Sequence, residues 1–211
     1  EAFGHDRILP YFDLPFQHVA PGILDSMNRR GDIKEKYRLI ENIRGRFDHA
    51  VIRSAFIVGY PGESRQDFSE LVAFARETRI ERIGVFGYSD EDGTPAFGLS
   101  DKISPEEIQE RKEKLMDVSD DNMADYNRSL IGGKMDFIPQ GPSPWKAENH
   151  LGRVSSQAPQ VDGFTELIGE KEPGSAIIPV RIVDFKNEIL YARPEPSGLK
   201  EVPGKEDIPG K

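Results

Sequence analysis

Three stretches of this chain end in residues that are suited to binding a ligand. The first is an apolar run, 51–58, followed by Gly59-Tyr60-Pro61-Gly62 and an amphipathic segment. This order predicts a buried strand, a tight turn and the start of a helix. The other two runs end in Gln17-His18 and Tyr88-Ser89. Glycine lets a backbone approach a ligand closely, and a helix start offers free N–H groups, so these strand ends are candidate binding positions. By residue type alone they are more typical of plain connections and rim residues. No catalytic residue is predicted.

The elements that would position these residues alternate between strand and helix. Strands are predicted for 8–14, 50–58 and 82–86, and helices from Pro21, over 33–47, after Ser64 and from Ser104 to about Leu130. Ser64 is suited to cap its helix, with Asp67 at the third helical position. Alternation of this kind implies a parallel sheet whose carboxyl ends meet along one edge. Three strands are few for a complete barrel, so we expect part of a larger α/β domain.

The pattern changes after Gly132-Gly133. Short strands separated by turn residues are predicted for 134–139, 150–155, 163–168, 176–185 and 189–193. Five short strands at this spacing indicate a small antiparallel β-barrel of OB-like size. Almost nothing after Pro194 can be buried, so we expect a disordered tail. The predicted domains are therefore 1–131 and 132–194, with the tail at 195–211.

Composition excludes several kinds of site. The chain has 211 residues, a formal net charge of -9 and no cysteine. It therefore contains no disulfide, thiol nucleophile or cysteine-held zinc or iron–sulfur site. The four histidines are scattered, without the i, i+4 spacing of a helical metal pair, so no metal site is predicted. The acidic balance argues against a general nucleic-acid binder, and no run is long enough to cross a membrane, so we expect a cytoplasmic protein.

Several of these segments resemble the radical-SAM methylthiotransferases. Residues 10–18, with Ile23-Leu24 and Met27-Asn28-Arg29, are similar to the fourth-strand region of that family's barrel. Residues 56–64 resemble its fifth-strand motif, and 88–96 its sixth-strand motif. The last domain looks like a TRAM domain. The resemblance covers about 9–193 and implies the C-terminal half of a radical-SAM (βα) partial TIM barrel followed by an OB-like TRAM β-barrel.

Within the family, three stretches favour the branch that modifies a protein over the branch that modifies transfer RNA. They are Gln17-His18, Arg53-Ser54 before the fifth-strand motif, and Gly152-Arg153 with 158–163. This resemblance implies methylthiolation of the β-carbon of an aspartate in small-subunit ribosomal protein twelve. S-adenosylmethionine would be the radical source and the methyl donor. Charge is nearly balanced over 132–193, which favours a protein partner over nucleic acid.

The family's cysteines are missing from this chain. Its members carry three cysteines in an N-terminal domain and a CxxxCxxC segment, which imply two iron–sulfur clusters. Because the chain starts at Glu1 and has no cysteine, we expect a C-terminal fragment of an enzyme, inactive by itself. Two alternatives stay open. One is the transfer-RNA adenosine methylthiotransferase branch, and the other is a cysteine-free, non-catalytic binding module.

The resemblance also implies which residues would contact S-adenosylmethionine. Ile57, Val58 and Gly59 would lie against the adenine, with the glycine leaving room for a flat ring. Gln17 and Ser54 are the candidates for polar contacts to the ribose or the methionine end. Tyr88 and Ser89 would close the adenine side at the sixth-strand motif.

Overall fold

A parallel sheet organises the first of two units, which divide after Met123. The computed structural model describes residues 8–169 and 176–195. The sheet has three strands in the order β1-β2-β3, and both neighbouring pairs are parallel, as predicted. The elements are β1 (Tyr11–Asp13), α1 (Pro21–Ser26), α2 (Ile33–Arg46), β2 (Val51–Val58), α3 (Arg65–Thr78), β3 (Arg82–Gly87), a 3₁₀ turn (Pro95–Gly98) and α4 (Pro105–Ser129).

The helices begin where local hydrogen bonds fix them. The Ser64 hydroxyl accepts from the Asp67 N–H at 3.1 Å, and the Asp67 carboxylate accepts from the Ser64 N–H at 2.9 Å. This is the predicted capping box, and Asp32 forms a second one with Glu35 at α2. At α4 the Ser104 hydroxyl accepts from the N–H of Glu107, which satisfies one free donor of the first turn.

The helices pack against one face of the sheet. Phe12, Ile52, Phe56 and Val58 belong to this core together with Ile83 and Val85, so alternate residues of all three strands face the helices. Phe68, Leu71, Val72 and Ala75 of α3 are buried, and the neighbouring Phe74 packs its ring against Phe56 at 6.3 Å between centroids. Because strand side chains alternate between faces, the residues between these core positions lie on the opposite face.

The second unit contains a closed five-stranded barrel in the order β4-β5-β6-β8-β7. Its strands are β4 (Lys134–Pro142), β5 (His150–Val154), β6 (Thr165–Leu167), β7 (Ile178–Lys186) and β8 (Ile189–Pro194). The predicted antiparallel arrangement is wrong at one pair, because β6 and β8 are parallel. Strand directions cannot alternate all the way around a ring with an odd number of strands, so closure requires at least one parallel pair.

Glu195 is the one residue of the predicted tail that the structure describes. Apart from Glu195, the segment 195–211 lies outside the described residues. The Glu195 carboxylate contacts Lys134 Nζ at 2.9 Å and Arg181 Nε at 2.7 Å. The hydrogen bond from Lys134, supported by Arg181, lowers the pKa of this carboxyl below its ordinary value. Within the described part of the chain, no helix has the length and apolarity needed to cross a lipid bilayer.

Gly152 of β5 leaves space that the barrel core requires. An added Cβ would lie 2.2 Å from the Ile138 carbonyl oxygen and 2.4 Å from Phe137 Cζ. We predict that Gly152→Ala lowers the free energy of unfolding of the barrel by about 2–4 kcal/mol, because backbone and a buried ring must both move. Urea unfolding, followed by the fluorescence of the chain's single tryptophan, Trp145, measures this loss.

The matched control is Gly141→Ala on β4, where no atom lies within 4 Å of the added Cβ. It should change the free energy of unfolding by about 0.5 kcal/mol or less. Equal losses for the two variants would contradict the steric explanation.

Candidate functional site

The ends of the three parallel strands bring the predicted binding residues together. The Gln17 N–H donates to the Ala55 carbonyl, and the Gln17 carbonyl accepts from the Ile57 N–H, both at 2.8 Å. On the other side of β2, the Tyr88 N–H donates to the Val58 carbonyl at 2.8 Å. Gln17, residues 57–59 and Tyr88 therefore occupy neighbouring chains at one edge of the sheet.

Ser54 lies below this edge, and its hydroxyl is already used. It is fully buried, donates to the Leu14 carbonyl at 2.8 Å and accepts from the Phe16 N–H at 3.3 Å. These bonds fix the loop that leads to Gln17. The structure therefore shows a positioning contact for Ser54, and its predicted polar contact to a ligand stays a prediction.

Ile57 and Val58 point to opposite faces of the sheet. Val58 is fully buried in the helix-side core, whereas Ile57 is partly exposed on the other face. Its lateral neighbour there is Phe86, which sequence reasoning missed and which is 54% exposed. A Cβ added at Gly84 would lie 3.2 Å from Phe86 Cε2, so the ring lies over this glycine. Period-two alternation in β3 is the signal that could have identified Phe86.

Gly59 is required by the fold itself. Its φ is +76°, in the left-handed region that favours glycine. An added Cβ would lie 2.3 Å from Cγ1 of Ile108 in α4. The missing side chain of Gly59 thus leaves space for Ile108. That Gly59 also lies against the adenine ring of S-adenosylmethionine stays a prediction.

A buried carboxylate holds the turn that follows β2. Glu63 Oε2 accepts from the Tyr60 N–H at 3.2 Å and also from the N–H of Gly59. Its other oxygen lies 3.2 Å from Arg111 Nη1, and that nitrogen also donates to the Glu63 carbonyl at 3.0 Å. Both side chains are buried. Glu63 therefore connects the end of β2 to α4.

His18 completes this buried cluster. Its Nδ1 accepts from the Ala20 N–H at 3.0 Å, so the neutral ring carries its proton on Nε2. Nε2 lies 3.8 Å from Glu63 Oε1. Sequence reasoning singled out His18 only as a strand-end residue and missed Glu63 and Arg111. Arg111 could not have been found from local pattern, because it is 48 positions from Glu63.

The hydroxyls of Tyr88 and Ser89 are paired with nearby acids. The Tyr88 hydroxyl donates to Asp90 Oδ1 at 2.6 Å, and the Ser89 hydroxyl donates to Glu91 Oε1 at 3.1 Å. Lys102 contacts Asp90 and donates to the Ala96 carbonyl at 2.8 Å. Burial and the bond to Asp90 raise the pKa of Tyr88, while the bonds from Lys102 and Tyr88 lower the pKa of Asp90.

A cavity of about 420 Å³ opens beside these residues. It is lined by the end of β3, by Lys102 and by Ile108, Gln109 and Lys112 of α4. Within the described residues, no three His, Asp or Glu side chains are grouped as metal ligands. The polar and apolar lining is compatible with an organic ligand at the strand ends.

Comparisons with known proteins identify relatives over nearly the whole chain. The proteins named "Ribosomal protein uS12 methylthiotransferase RimO" from Acidothermus cellulolyticus and Aquifex aeolicus are 36% and 37% identical over 204 and 189 residues. These matches cover 97% and 89% of this chain. The chain is similar to these methylthiotransferases over nearly its whole length. It spans 43% and 44% of the lengths of these two relatives.

The other comparisons add little. No protein-family model matches the chain. Among solved structures, it is similar to "Coproporphyrinogen III oxidase (HemN) from Escherichia coli is a Radical SAM enzyme", with a TM-score of 0.43 and 13% identity. That match covers 77% of this chain and 41% of the other. A likeness this low supports no statement about fold or function.

We predict that Glu63→Gln lowers the free energy of unfolding of the first unit by about 3–5 kcal/mol. The substitution leaves the buried Arg111 guanidinium without its buried anionic partner. Urea unfolding monitored by circular dichroism measures the loss.

Glu107→Gln is the matched control, because Glu107 pairs with the same Arg111 at 2.9 Å but is 32% exposed. Its loss should stay under about 1 kcal/mol. A Glu63→Gln variant as stable as this control would mean that the buried pair does not hold the turn.

Gly59 and Gly62 allow a second matched comparison. Both have positive φ, +76° and +82°, but only an added Cβ at Gly59 meets Ile108. We predict that Gly62→Ala costs about 1 kcal/mol from backbone strain and that Gly59→Ala costs about 1–3 kcal/mol more from steric overlap. Thermal unfolding of the two variants tests this, and Ile108→Ala should recover part of the added loss at Gly59. Equal melting temperatures would contradict the overlap.

Proposed function

We propose that this chain is the carboxyl-terminal part of an enzyme that methylthiolates the β-carbon of an aspartate in ribosomal protein uS12. The observation that carries this proposal is the 36% identity to a uS12 methylthiotransferase over 97% of the chain. The residues between Gln17 and Ser89 supply a binding edge in the first unit, as such an enzyme needs. The chain alone is expected to be inactive.

In this proposal the first unit is the C-terminal half of a radical-SAM partial TIM barrel. Support comes from the parallel order of the strands and from the sheet face that the helices leave uncovered. A barrel of parallel strands needs helices outside and side chains inside, which this sheet provides on its two faces. The second unit would be the OB-like TRAM domain, and its closed five-stranded barrel supports this.

S-adenosylmethionine fits the strand ends of the first unit. Ile57 and Phe86 form an apolar surface on the uncovered face, and the Gln17 side chain and the Tyr88–Ser89 segment lie at the adjacent edge. These residues would hold the adenosine part, while Ser54 and Gly59 position the backbone. Val58 would act only through packing, because its side chain is in the helix-side core. When bound, S-adenosylmethionine would supply the radical and the methyl group.

The residues of this chain do not fit an iron–sulfur cluster. Such clusters are held by cysteine thiolates, and the sequence contains none. We propose that two clusters of the complete enzyme are ligated by cysteines outside this sequence. The part described here would bind and orient, and it would move no electrons itself.

Charge favours a basic protein as the partner. The chain carries a formal net charge of -9, and opposite charges accelerate encounter with a basic ribosomal protein. The same negative net charge disfavours transfer RNA as the substrate, because its phosphates bind to a basic surface. We place the reaction in the cytoplasm, where ribosomal proteins are assembled.

The test uses the full-length protein encoded by the gene that contains this chain, with its clusters reconstituted. It should add a methylthio group to a peptide that contains the substrate aspartate, detected by mass spectrometry with isotope-labelled S-adenosylmethionine. This chain alone, treated in the same way, should give no product above a blank.

Modification of transfer RNA but not of the peptide would overturn the proposal. A gene with no cysteine codons upstream of this sequence would also overturn it and would favour the non-catalytic binding module.

A further inference from the structure

The face of the sheet that the helices leave uncovered carries an ordered set of side chains, which we call the open face. Strand register places Asp13 and the buried Arg82 on either side of Arg53, Ala55 beside Gly84, and Ile57 beside Phe86. Along β2 the open face therefore changes from an ionic row, through a row of small residues, to an apolar row at the strand ends. Ile57 is four residues beyond Arg53, about 13 Å along the strand.

The contact with Asp13 does not use all the N–H donors of the Arg53 guanidinium. Arg53 Nη1 donates to Asp13 Oδ2 at 2.7 Å, and the two side chains are 24% and 51% exposed. No other polar contact of the Arg53 guanidinium is present among the described residues. A guanidinium has five N–H donors in a planar fork and can bind a carboxylate through two of them. Asp13 uses one nitrogen, so donors of the fork are available to a second carboxylate.

Two small residues form the row of the open face that follows Arg53. Ala55 is the next residue of β2 on this face, and its neighbour Gly84 has no side chain. The Phe86 ring lies over Gly84 and occupies the space above this glycine. A peptide loop that enters from the strand ends thus passes an apolar surface before its side chain reaches Arg53.

We propose that Arg53 binds the carboxylate of the substrate aspartate. This inference rests on the proposed function, because it names the residue that recognises the reacting side chain. The carboxylate of aspartate is attached to the carbon that reacts. Binding it at Arg53 would hold that β-carbon one bond from the carboxylate, on the side of the guanidinium that faces the Ile57–Phe86 row. Arg53 is then a specificity-determining residue, and Asp13 orients its guanidinium.

Discrimination between an acid and its amide is the direct consequence. Asparagine has nearly the shape of aspartate, but its side chain carries no negative charge to pair with Arg53. Its NH2 group is a hydrogen-bond donor and would face the N–H donors of the guanidinium. A site that binds through fixed hydrogen bonds rejects an analogue that cannot form them. The full-length enzyme should prefer an aspartate peptide over the matching asparagine peptide by on the order of 10²-fold in kcat/KM.

The experiment compares these two peptides in the cluster-reconstituted, full-length protein and its variants. Arg53→Met should reduce the preference to within about threefold, and Arg53→Lys should retain an intermediate preference because the charge remains without the fork. Asp13→Asn should keep most of the preference, since it leaves Arg53 charged. Arg128→Met is the matched control, because Arg128 also makes one ion pair, with Asp125 at 2.6 Å, and is 62% exposed.

The outcomes separate a binding role from a structural one. If Arg53 serves only to pair with Asp13, then Arg53→Met and Asp13→Asn will lower the activity on both peptides alike and leave the preference unchanged, which overturns the inference. An unmodified enzyme that does not prefer aspartate also overturns it, while its activity still supports the proposed function. Absence of any peptide product from the unmodified enzyme overturns both. Melting temperatures of all variants identify any that fail to fold. If Arg53→Met does not fold, the aspartate preference of Arg53→Lys decides between the binding role and the structural role.

Discussion

The buried carboxylate of Glu63 is the interaction on which the geometry of the strand ends depends. A charge removed from water is costly unless hydrogen bonds and an opposite charge compensate it. Here two backbone N–H groups and the Arg111 guanidinium provide that compensation. The backbone of residues 59 and 60 is consequently tied to α4, and the ring of His18 brings the loop after β1 into the same cluster. Three separate parts of the chain are thereby held at one edge of the sheet.

The second constraint is the alternation of side chains along each strand. Ile57 and Val58 are adjacent in sequence, but one contributes to the open face and the other to the helix-side core. The same alternation places Arg53 and Phe86 on the open face. A shift of one residue in the pairing of β2 and β3 would bury the charged row and expose the core, so the register and the composition of the open face are determined together.

In the second unit, the strand arrangement is determined by the requirement that five strands form a closed ring. Five strands can close only with at least one parallel pair, and β6 and β8 provide it. Close approach of β4 and β5 requires a residue without a side chain at position 152. Beyond the strand ends, Glu195 joins Lys134 of β4 and Arg181 of β7, so the last described residue is held by the barrel.

The sequence by itself determined the elements of both units, because their signals are local. The capping box at Ser64, the helix start at Ser104 and the alternation of apolar residues are set by neighbours a few positions apart. For the same reason it predicted that Gln17, Gly59 and Tyr88 end adjacent strands. Only the tertiary structure decided what each side chain contacts. Ser54 bonds to Leu14 and Arg53 to Asp13 across 40 positions, and Glu63 meets Arg111 across 48. Such partners are selected by strand register and helix packing, which no local pattern encodes.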